Sequence, residues 1–515
     1  MQLQTPAVMN VKAFLFTLLG LFIFSSGFAQ RTSHTLKVSV QLDQSMKDAF
    51  LPDGRLYLFI SEAKRGEPRR QTWPRSTNHI FAQNIEGWDA DQLMYFDTES
   101  ELDSNEDLVL VDFPDGDYRV QVLWDQNFTA SSINAPGNLF SEVVELKLRD
   151  DQKLRLSLTE IIAPRNPVEH PLLREHTFKS DSLSAWWGKE MAVEFSVLLP
   201  RSFATEPNRK YPIIYEVGGY GSRHYRASRI VQRDSAFMAW WNSEAPEVII
   251  AFLDGEGPFG DPYQLDSDNS GPYGYVLIEE LAPWIEEKYR AIGSTETRFV
   301  EGCSTGGWVS LALQLYYPDF FGGTYSYSPD PVDFNHMQLV NLYKDDNAFV
   351  NKYGNERPSN RTATGDPIFS IRKEIYYENV QGVTGTFTTS GQQWGAWNAL
   401  YSPKGEDGYP LPVFDPQTGE IDSAVVAYWQ RYDLLHHTQS NWESLGPKLE
   451  GKLWVWMGDM DNYYLNNALH PFADFLEQTS NPPSDAKITF SPMQGHCWAF
   501  SRKEIIEMVG EKLKK

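Results

Sequence analysis

One serine of the chain lies in a pattern that is typical of an activated nucleophile. Ser304 is the central residue of Gly302-Cys303-Ser304-Thr305-Gly306, which matches the nucleophile elbow G-x-S-x-G. In an elbow the serine lies on a strained turn between a strand and a helix, and the small residues on either side avoid clashes at that turn. A short apolar strand at residues 298–301 precedes the pattern, and the apolar helical run 308–313 follows it. Because so short a pattern also occurs by chance, the predicted strand and helix on either side are important support for Ser304 as a nucleophile.

A serine hydroxyl needs a general base, and the base needs a carboxylate that orients it. In α/β-hydrolases the acid and then the histidine follow the serine along the chain. Asp459 and Asp461 come directly after an apolar strand at residues 452–457, where the acid is expected. His496 lies in a loop between the last predicted strand and the C-terminal helix, whereas His470 falls within a predicted helix. The sequence therefore predicts His496 as the base and leaves two candidates for the acid.

Two backbone N–H groups are candidates for binding the negative oxygen that forms when the serine attacks a carbonyl group. Thr305 is the first predicted helical residue, so its N–H points toward that oxygen and the helix dipole assists. The second donor is expected in the loop after the strand at residues 212–217, which is Gly218-Gly219-Tyr220-Gly221. Its glycines let the backbone approach a substrate, and the N–H of Tyr220 is the expected donor. A plain tight turn is the alternative interpretation of this loop.

The N-terminus has the features of a secretory signal peptide. Lys12 precedes an apolar run of about 12 residues, and Gly27 and Ala29 fit the small-residue rule for cleavage, so residues 1–29 would be removed. The run is shorter than the ~20 residues that span a bilayer. We therefore expect a secreted or periplasmic protein that has no membrane partner.

The chain has two cysteines, and each is a neighbour of a predicted catalytic residue. Cys303 precedes Ser304, and Cys497 follows His496. A nucleophile and its base come within hydrogen-bond reach, which brings their neighbours close to the Cα separation of about 4.4–6.8 Å that a disulfide needs. Since export leads to an oxidising compartment, we predict a Cys303–Cys497 disulfide. Two free buried cysteines are the alternative.

Composition limits the class of protein. The 515 residues are 41% hydrophobic, which is enough for folded cores and suggests two domains, one with a large insertion. The formal net charge of −24 argues against nucleic acid and anionic lipid surfaces as partners. The predicted chemistry requires no metal and no organic cofactor, and the oligomeric state stays open.

Two regions have different hydrophobic patterns. Residues 30–165 alternate apolar and polar positions with a period of two in several segments, which predicts a β-sandwich domain that packs or presents substrate. After a proline-rich linker, residues 166–515 alternate strands with helices, which predicts an α/β-hydrolase fold with a mostly parallel sheet.

Residues 333–449 do not follow this alternation and are interpreted as an insertion or lid. Trp394 and Trp397 in this insertion either line the substrate pocket or pack the insertion itself. The segment 268–274 is a further candidate for the border of the site.

From about residue 178 to the C-terminus, the chain resembles the esterase family that includes esterase D (S-formylglutathione hydrolase), enterochelin esterase and feruloyl esterases. Besides the elbow, the resemblance rests on Tyr211-Pro212-Ile213-Ile214-Tyr215 and Tyr317-Pro318-Asp319-Phe320-Phe321-Gly322. The stretch Gly458-Asp459-Met460-Asp461-Asn462-Tyr463-Tyr464-Leu465 looks like the acid loop of that family, and its register selects Asp461 over Asp459. The resemblance implies an α/β-hydrolase fold and hydrolysis of carboxylic esters.

The cysteine placement also resembles the CS-D-HC arrangement of tannases and fungal feruloyl esterases, in which a disulfide joins the residues beside the serine and the histidine. The insertion at residues 333–449 departs from the family pattern. Together these features predict a secreted serine esterase in which Ser304 attacks the ester carbonyl and His496 transfers the proton. Asp461 is expected to orient His496, and the N–H groups of Thr305 and Tyr220 are expected to bind the oxyanion. The expected substrates are carbohydrate-linked or aromatic acyl esters. An acyltransferase or peptidase of the same fold and a non-catalytic glycan-binding protein are the alternatives.

Overall fold

The computed structural model describes residues 32–97, 99–106 and 108–514, so the expected signal peptide at residues 1–29 lies outside the described residues. Within this part of the chain, no helix combines the length and the apolarity that a membrane crossing requires. The N-terminal region consists of short strands, namely β1 (Ser33–His34), β2 (Leu36–Leu42), β3 (Gly54–Ser61), β4 (Asn78–Ile85), β5 (Met94–Phe96), β6 (Asp103–Ser104), β7 (Phe113–Pro114), β8 (Gly116–Asp125), β9 (Leu139–Phe140), β10 (Val144–Leu148), β11 (Gln152–Leu158) and β12 (Glu160–Ile161).

Two sheets of this region share one hydrophobic core. The larger sheet has the order β12-β9-β8-β3-β4-β6, with β10 also paired to β8, and the smaller one has the order β11-β2-β5. Val38 and Val40 of the smaller sheet and Leu56, Leu58 and Val120 of the larger sheet are buried in the same cluster. Burial of one face is what period-two alternation predicts, and β2 has this pattern. For β3 the prediction of a half-buried strand was wrong, because its second face, with Tyr57 and Phe59, is buried against the insertion.

The strands of the C-terminal region are β13 (Leu173–Ser180), β14 (Met191–Leu198), β15 (Ile213–Val217), β16 (Ile249–Leu253), β17 (Asp266–Ser267), β18 (Gly271–Pro272), β19 (Arg298–Cys303), β20 (Gly323–Tyr327), β21 (Pro358–Arg361), β22 (Pro367–Ser370), β23 (Leu453–Gly458) and β24 (Lys487–Ser491). Eight of them form one sheet with the order β13-β14-β16-β15-β19-β20-β23-β24. β14 is antiparallel to both of its neighbours, and the strands from β16 to β24 are parallel. The mixed α/β architecture follows the α/β-hydrolase pattern, and the strand that leads to Ser304 lies inside the sheet.

Helices cover both faces of this sheet. The α-helices are α1 (Asp181–Trp187), α2 (Arg226–Arg233), α3 (Ser235–Trp241), α4 (Tyr273–Tyr275), α5 (Ala282–Tyr289), α6 (Thr305–Tyr316), α7 (Ile371–Gln381), α8 (Gln393–Tyr401), α9 (Ser423–Trp429), α10 (Leu434–Leu445), α11 (Asn466–Gln478) and α12 (Arg502–Lys512), and a π-helical turn, Val276–Leu281, joins α4 to α5. Trp308 and Leu311 of α6 are buried on one face of the sheet, and Trp241 of α3 and Ile505 of α12 are buried on the other. Coverage of both faces explains the continuous apolar runs of the central strands.

Residues 333–449 add no strand to the large sheet; they form the β21–β22 hairpin, helices α7 to α10 and connecting loops. Helix α7 packs against the larger N-terminal sheet, where Tyr57, Phe59 and Ile80 share a buried cluster with Tyr377 and Val380. The N-terminal region and the insertion are therefore in direct contact.

Candidate active site

Ser304 lies on a strained turn between β19 and α6. Its φ of 61° and ψ of −126° are values that a residue with a side chain rarely adopts. The chain is so close around this turn that a Cβ on Gly306 would lie 2.1 Å from the carbonyl oxygen of Val217. The sequence pattern is explained by these contacts, because only a glycine at position 306 lets the first turn of α6 approach β15.

Ser304 and His496 line the same cavity of about 400 Å³ at the carboxyl ends of the central strands. Among the described residues, the serine hydroxyl has no hydrogen-bond partner, so the Ser304–His496 hydrogen bond is not formed in this structure. Bonds of this kind are often long without substrate and shorten when substrate binds. The two residues thus share one cavity, and the hydroxyl is accessible to a ligand.

A buried carboxylate orients His496. The Nδ1 atom of His496 lies 2.6 Å from Oδ2 of Asp461, whose side chain is fully buried. The other oxygen of Asp461 accepts hydrogen bonds from the N–H groups of Tyr463 and Leu465, at 2.9 and 3.3 Å. A carboxylate accepts but does not donate, so Nδ1 carries the proton and Nε2 keeps a lone pair. Burial acts to lower the pKa of His496, but the carboxylate of Asp461 and the charge of Asp330 outweigh it and raise this pKa above its ordinary value.

The second candidate for the acid has another partner. Asp459 accepts a hydrogen bond from Nε2 of His470 at 3.1 Å, and the ring of His470 stacks on Phe490 with a centroid separation of 4.1 Å. The structure therefore brings Asp461, and not Asp459, to His496.

The loop that carries His496 is attached to the nucleophile turn by covalent and polar contacts. A Cys303–Cys497 disulfide joins the two, with a Cα separation of 6.0 Å. The N–H of Cys497 donates to Oγ of Ser328 at 3.0 Å, and the N–H of His496 donates to Oδ1 of Asn462 at 3.0 Å. Ser304, Ser328 and Cys497 all have positive φ values, of 61°, 40° and 54°. Residues with such strained backbone angles are common at functional sites, where the surrounding structure maintains the strained conformation.

Both predicted oxyanion donors lie near Ser304. Thr305 is the first residue of α6, where N–H groups have no partner within the helix. A Cβ on Gly219 would lie 3.5 Å from Cβ of Ser304, so the loop after β15 approaches the nucleophile closely. Tyr220 follows in that loop and lines the cavity, and its hydroxyl donates to the side chain of Gln392 in the insertion.

A buried aspartate in the cavity wall was not predicted from the sequence. Oδ2 of Asp330 accepts hydrogen bonds from the hydroxyls of Tyr263 and Thr305, at 2.8 and 3.2 Å, and from the indole of Trp397 at 3.1 Å. Burial raises the pKa of Asp330. Its position shortly after β20, beside the nucleophile strand, is a signal that could have identified it, because polar groups at the carboxyl ends of parallel strands border ligand sites.

Two glutamates on α7 were also missed. Glu374 lines the cavity and contacts the hydroxyl of Ser359, and burial raises its pKa to about 7. Glu378 lies one turn further on, and its carboxylate accepts the N–H groups of Trp394 and Gly395 at 3.0 and 2.9 Å. Burial, followed by the charge of Glu374, raises the pKa of Glu378 to about 8. Sequence reasoning treats a helical glutamate as solvent-exposed, and only the packing of α7 shows otherwise.

The two tryptophans of the insertion have different roles. Trp397 lines the cavity and donates to Asp330, whereas Trp394 is fully buried and packs against Phe414 with a centroid separation of 5.3 Å. The prediction for residues 268–274 was wrong: Asn269 donates to the carbonyl oxygens of Ala399 and Ser402, so the segment supports the end of α8 and does not line the cavity of Ser304.

One wall of the cavity comes from the N-terminal region. Trp73, in the loop before β4, lines the same cavity as Ser304 and His496. The sequence contains no signal for this contribution, because the residues around Trp73 form no recognisable motif and are more than 200 positions from Ser304.

Comparisons with known proteins give one family match. The sequence model of the family described as "Putative esterase" matches residues 187–504. A search of curated proteins found no match. Similar solved structures include a ferulic acid esterase (16% identity, 66% of this chain and 97% of the other, TM-score 0.41). They also include FphF, a fluorophosphonate-binding serine hydrolase of Staphylococcus aureus (13% identity, 67% of this chain and 98% of the other, TM-score 0.40). A third is an S-formylglutathione hydrolase of Agrobacterium tumefaciens (13% identity, 66% of this chain and 93% of the other, TM-score 0.36).

Proposed function

The chain belongs to the esterase family described as "Putative esterase" and is a carboxylic ester hydrolase, and we propose that it works through a triad of Ser304, His496 and Asp461. The observation that carries this proposal is the 2.6 Å contact between His496 Nδ1 and the buried Asp461. This contact leaves the lone pair of Nε2 available to accept a proton, and His496 shares a cavity with Ser304.

In the proposed mechanism, Oγ of Ser304 attacks the carbonyl carbon of the ester while Nε2 of His496 takes its proton. The N–H groups of Thr305 and Tyr220 stabilise the negative oxygen of the tetrahedral intermediate. When the intermediate collapses, the C–O bond to the alcohol breaks and His496 returns the proton to the leaving alkoxide. Water then attacks the acyl-enzyme with His496 again as base, which releases the acid and restores the hydroxyl of Ser304. Asp461 orients His496 throughout and stabilises the imidazolium that forms.

We further propose a division of the mature chain into a β-sandwich domain at residues 30–165 and a catalytic domain at residues 166–515. The common core of the two N-terminal sheets supports the first part of this proposal. The insertion at residues 333–449 would act as a fixed wall or lid over the site, which the positions of Glu374, Gln393 and Trp397 along the cavity support. The disulfide is consistent with export through the predicted signal peptide. The proposed substrates are carbohydrate-linked or aromatic acyl esters.

The mechanism is tested by replacing the nucleophile. Ser304→Ala should abolish turnover of p-nitrophenyl acetate and labelling by a fluorophosphonate probe, because no other serine occupies the elbow. Ser444→Ala, which changes an exposed serine of α10, is the matched control and should behave like the wild type. Turnover by a correctly folded Ser304→Ala protein would overturn the mechanism. Repeating the assay with an acceptor sugar separates hydrolysis from acyl transfer.

A further inference from the structure

The N-terminal region contributes an aromatic side chain to the active-site cavity. Trp73 lies between the 3-10 turn Pro68–Arg70 and β4, and it is half-buried. Its ring centroid is 5.8 Å from that of Tyr220 and 6.0 Å from that of Phe369, a residue of β22. Trp73 therefore lies between the loop that carries the proposed oxyanion donor and the insertion.

The loop around Trp73 is held by hydrogen bonds to the insertion. Nη2 of Arg75 donates to Oδ1 of Asn360 at 2.5 Å. The hydroxyl of Tyr377 lies 3.2 Å from the carbonyl oxygen of Ser76 and 3.0 Å from that of Asn78. Because Asn360 and Tyr377 are buried, these bonds hold the loop of Trp73 against the insertion, which reduces the conformational entropy that ligand binding has to remove from it.

The remaining walls of the cavity combine aromatic rings with hydrogen-bonding groups. The aromatic side chains are Trp397 and Tyr463, and the polar ones are Gln338, Glu374 and Gln393. A ring that carries hydroxyl groups fits such walls, because its face can stack on an aromatic side chain while its hydroxyls bond to carboxyl and amide groups.

We propose that Trp73 determines substrate specificity: the hydroxylated ring of the ester stacks on its indole, so that the N-terminal region completes the active site. This proposal rests on the proposed function and deepens it. The ring can belong to either half of the ester. A phenolic acid places it on the acyl side, and a sugar places it on the alcohol side.

A purely structural role for Trp73 makes a different prediction. If Trp73 only supports Tyr220 by packing, its loss disturbs the oxyanion loop and lowers the turnover of every ester in the same proportion. If it binds the ring, its loss affects esters that carry a ring far more than a small ester. The ratio of two kcat/KM values therefore separates the two roles.

The experiment uses the full-length protein with Trp73→Ala and Trp73→Phe, and three substrates: ethyl acetate, methyl ferulate and an acetylated methyl xyloside. For Trp73→Ala, we expect kcat/KM for at least one ring-bearing ester, relative to that for ethyl acetate, to fall at least tenfold, mainly through KM. Trp73→Phe keeps a flat aromatic face and should restore most of the ratio. Trp186→Ala, which removes an exposed tryptophan of α1, is the control and should leave the ratio unchanged.

The affected substrate identifies the side of the ester that meets Trp73: methyl ferulate indicates the acyl side and the xyloside indicates the alcohol side. An unchanged ratio for both ring-bearing esters overturns the proposal, whether absolute turnover is kept or falls for all three. Failure of the proposed function is recognised separately, since Ser304→Ala would then retain activity.

Discussion

At the scale of single residues, the acid loop after β23 contains two aspartates with different partners. Asp461 is buried and contacts His496, whereas Asp459 pairs with His470 near the surface. We expect Asp461→Asn to lower kcat by about 10⁴-fold, because an amide can donate to Nδ1 and stabilise the wrong tautomer of the base. Asp459→Asn is the matched control and should stay close to wild type. Steady-state kinetics on p-nitrophenyl acetate test both, and equal losses would contradict the assignment of the acid.

The pH dependence of the reaction should depend on Asp330. Hydrolysis needs neutral His496, so kcat/KM falls as the pH drops through the pKa of His496. The charges of Asp461 and Asp330 raise this pKa, which places the acidic limb above that of an ordinary histidine, about pH 6.5. Asp330→Asn removes one of these charges and should move the limb to lower pH. A pH profile of kcat/KM for both proteins measures the shift, and a limb that stays in place or moves to higher pH would contradict this role.

Local patterns were sufficient for some site residues and not for others. The proposed nucleophile Ser304 and the proposed base His496 follow from the elbow and from the chain order of a triad, which are signals visible in the sequence, whereas the proposed acid Asp461 needed the register of the family loop. Asp330 offers only its position shortly after a parallel strand as a signal, and Glu374 offers none, since its burial is created by distant segments. Trp73 could not be predicted for the same reason: its place in the cavity results from contacts with residues that are distant in the sequence, Tyr220 and Phe369.

At the scale of elements, the disulfide joins the end of β19 to the loop that follows β24. Its cysteines are 194 residues apart, so it closes a long loop of the unfolded chain. We expect Cys303→Ala combined with Cys497→Ala to lower the free energy of unfolding by about 2–4 kcal/mol. The substitutions should also lower kcat, because the loop of His496 would then be held only by hydrogen bonds such as that from Cys497 N–H to Ser328.

Urea unfolding and kinetics, each with and without a reducing agent, test this effect of the disulfide. Reduction should weaken the wild type and leave the double variant unchanged, which serves as an internal control. A wild type whose stability and kcat both resist complete reduction would show that the disulfide does not position His496.

The order of elements was largely predictable, and their arrangement around the site was not. Period-two alternation predicted β2, β3, β8 and β11, and apolar runs predicted the central strands of the large sheet, because burial of one or both faces is visible in a short window of sequence. No short stretch of the insertion sequence shows such a burial pattern. Helix α7 faces two partners at once, since Tyr377 and Val380 pack on the N-terminal sheet and Glu374 lines the cavity, and that division depends on the tertiary fold.

At the scale of the whole molecule, the N-terminal region and the insertion are joined by an interface with a buried apolar centre. Arg55 is buried, and its guanidinium donates to the carbonyl oxygen of Val380 at 3.0 Å. The hydroxyl of Tyr57 donates to the carbonyl oxygen of Gln381 at 3.0 Å, and Tyr377 is buried beside these residues. Because separation of the regions would expose this cluster and leave its polar groups without partners, we expect the two regions to unfold together.

Differential scanning calorimetry of the intact protein should therefore show one cooperative transition, with equal calorimetric and van't Hoff enthalpies. Tyr377→Ala removes a buried ring and the hydrogen bonds that hold the loop of Trp73, and should cost about 3–5 kcal/mol of unfolding free energy. Tyr353→Ala, at a position that is 76% exposed, is the control and should change stability by less than about 0.5 kcal/mol. Two well-separated transitions in the wild type would mean that the regions are only loosely docked. In that case Trp73 could leave the cavity without unfolding of the C-terminal region, and the aromatic wall that substrate stacking requires would be lost.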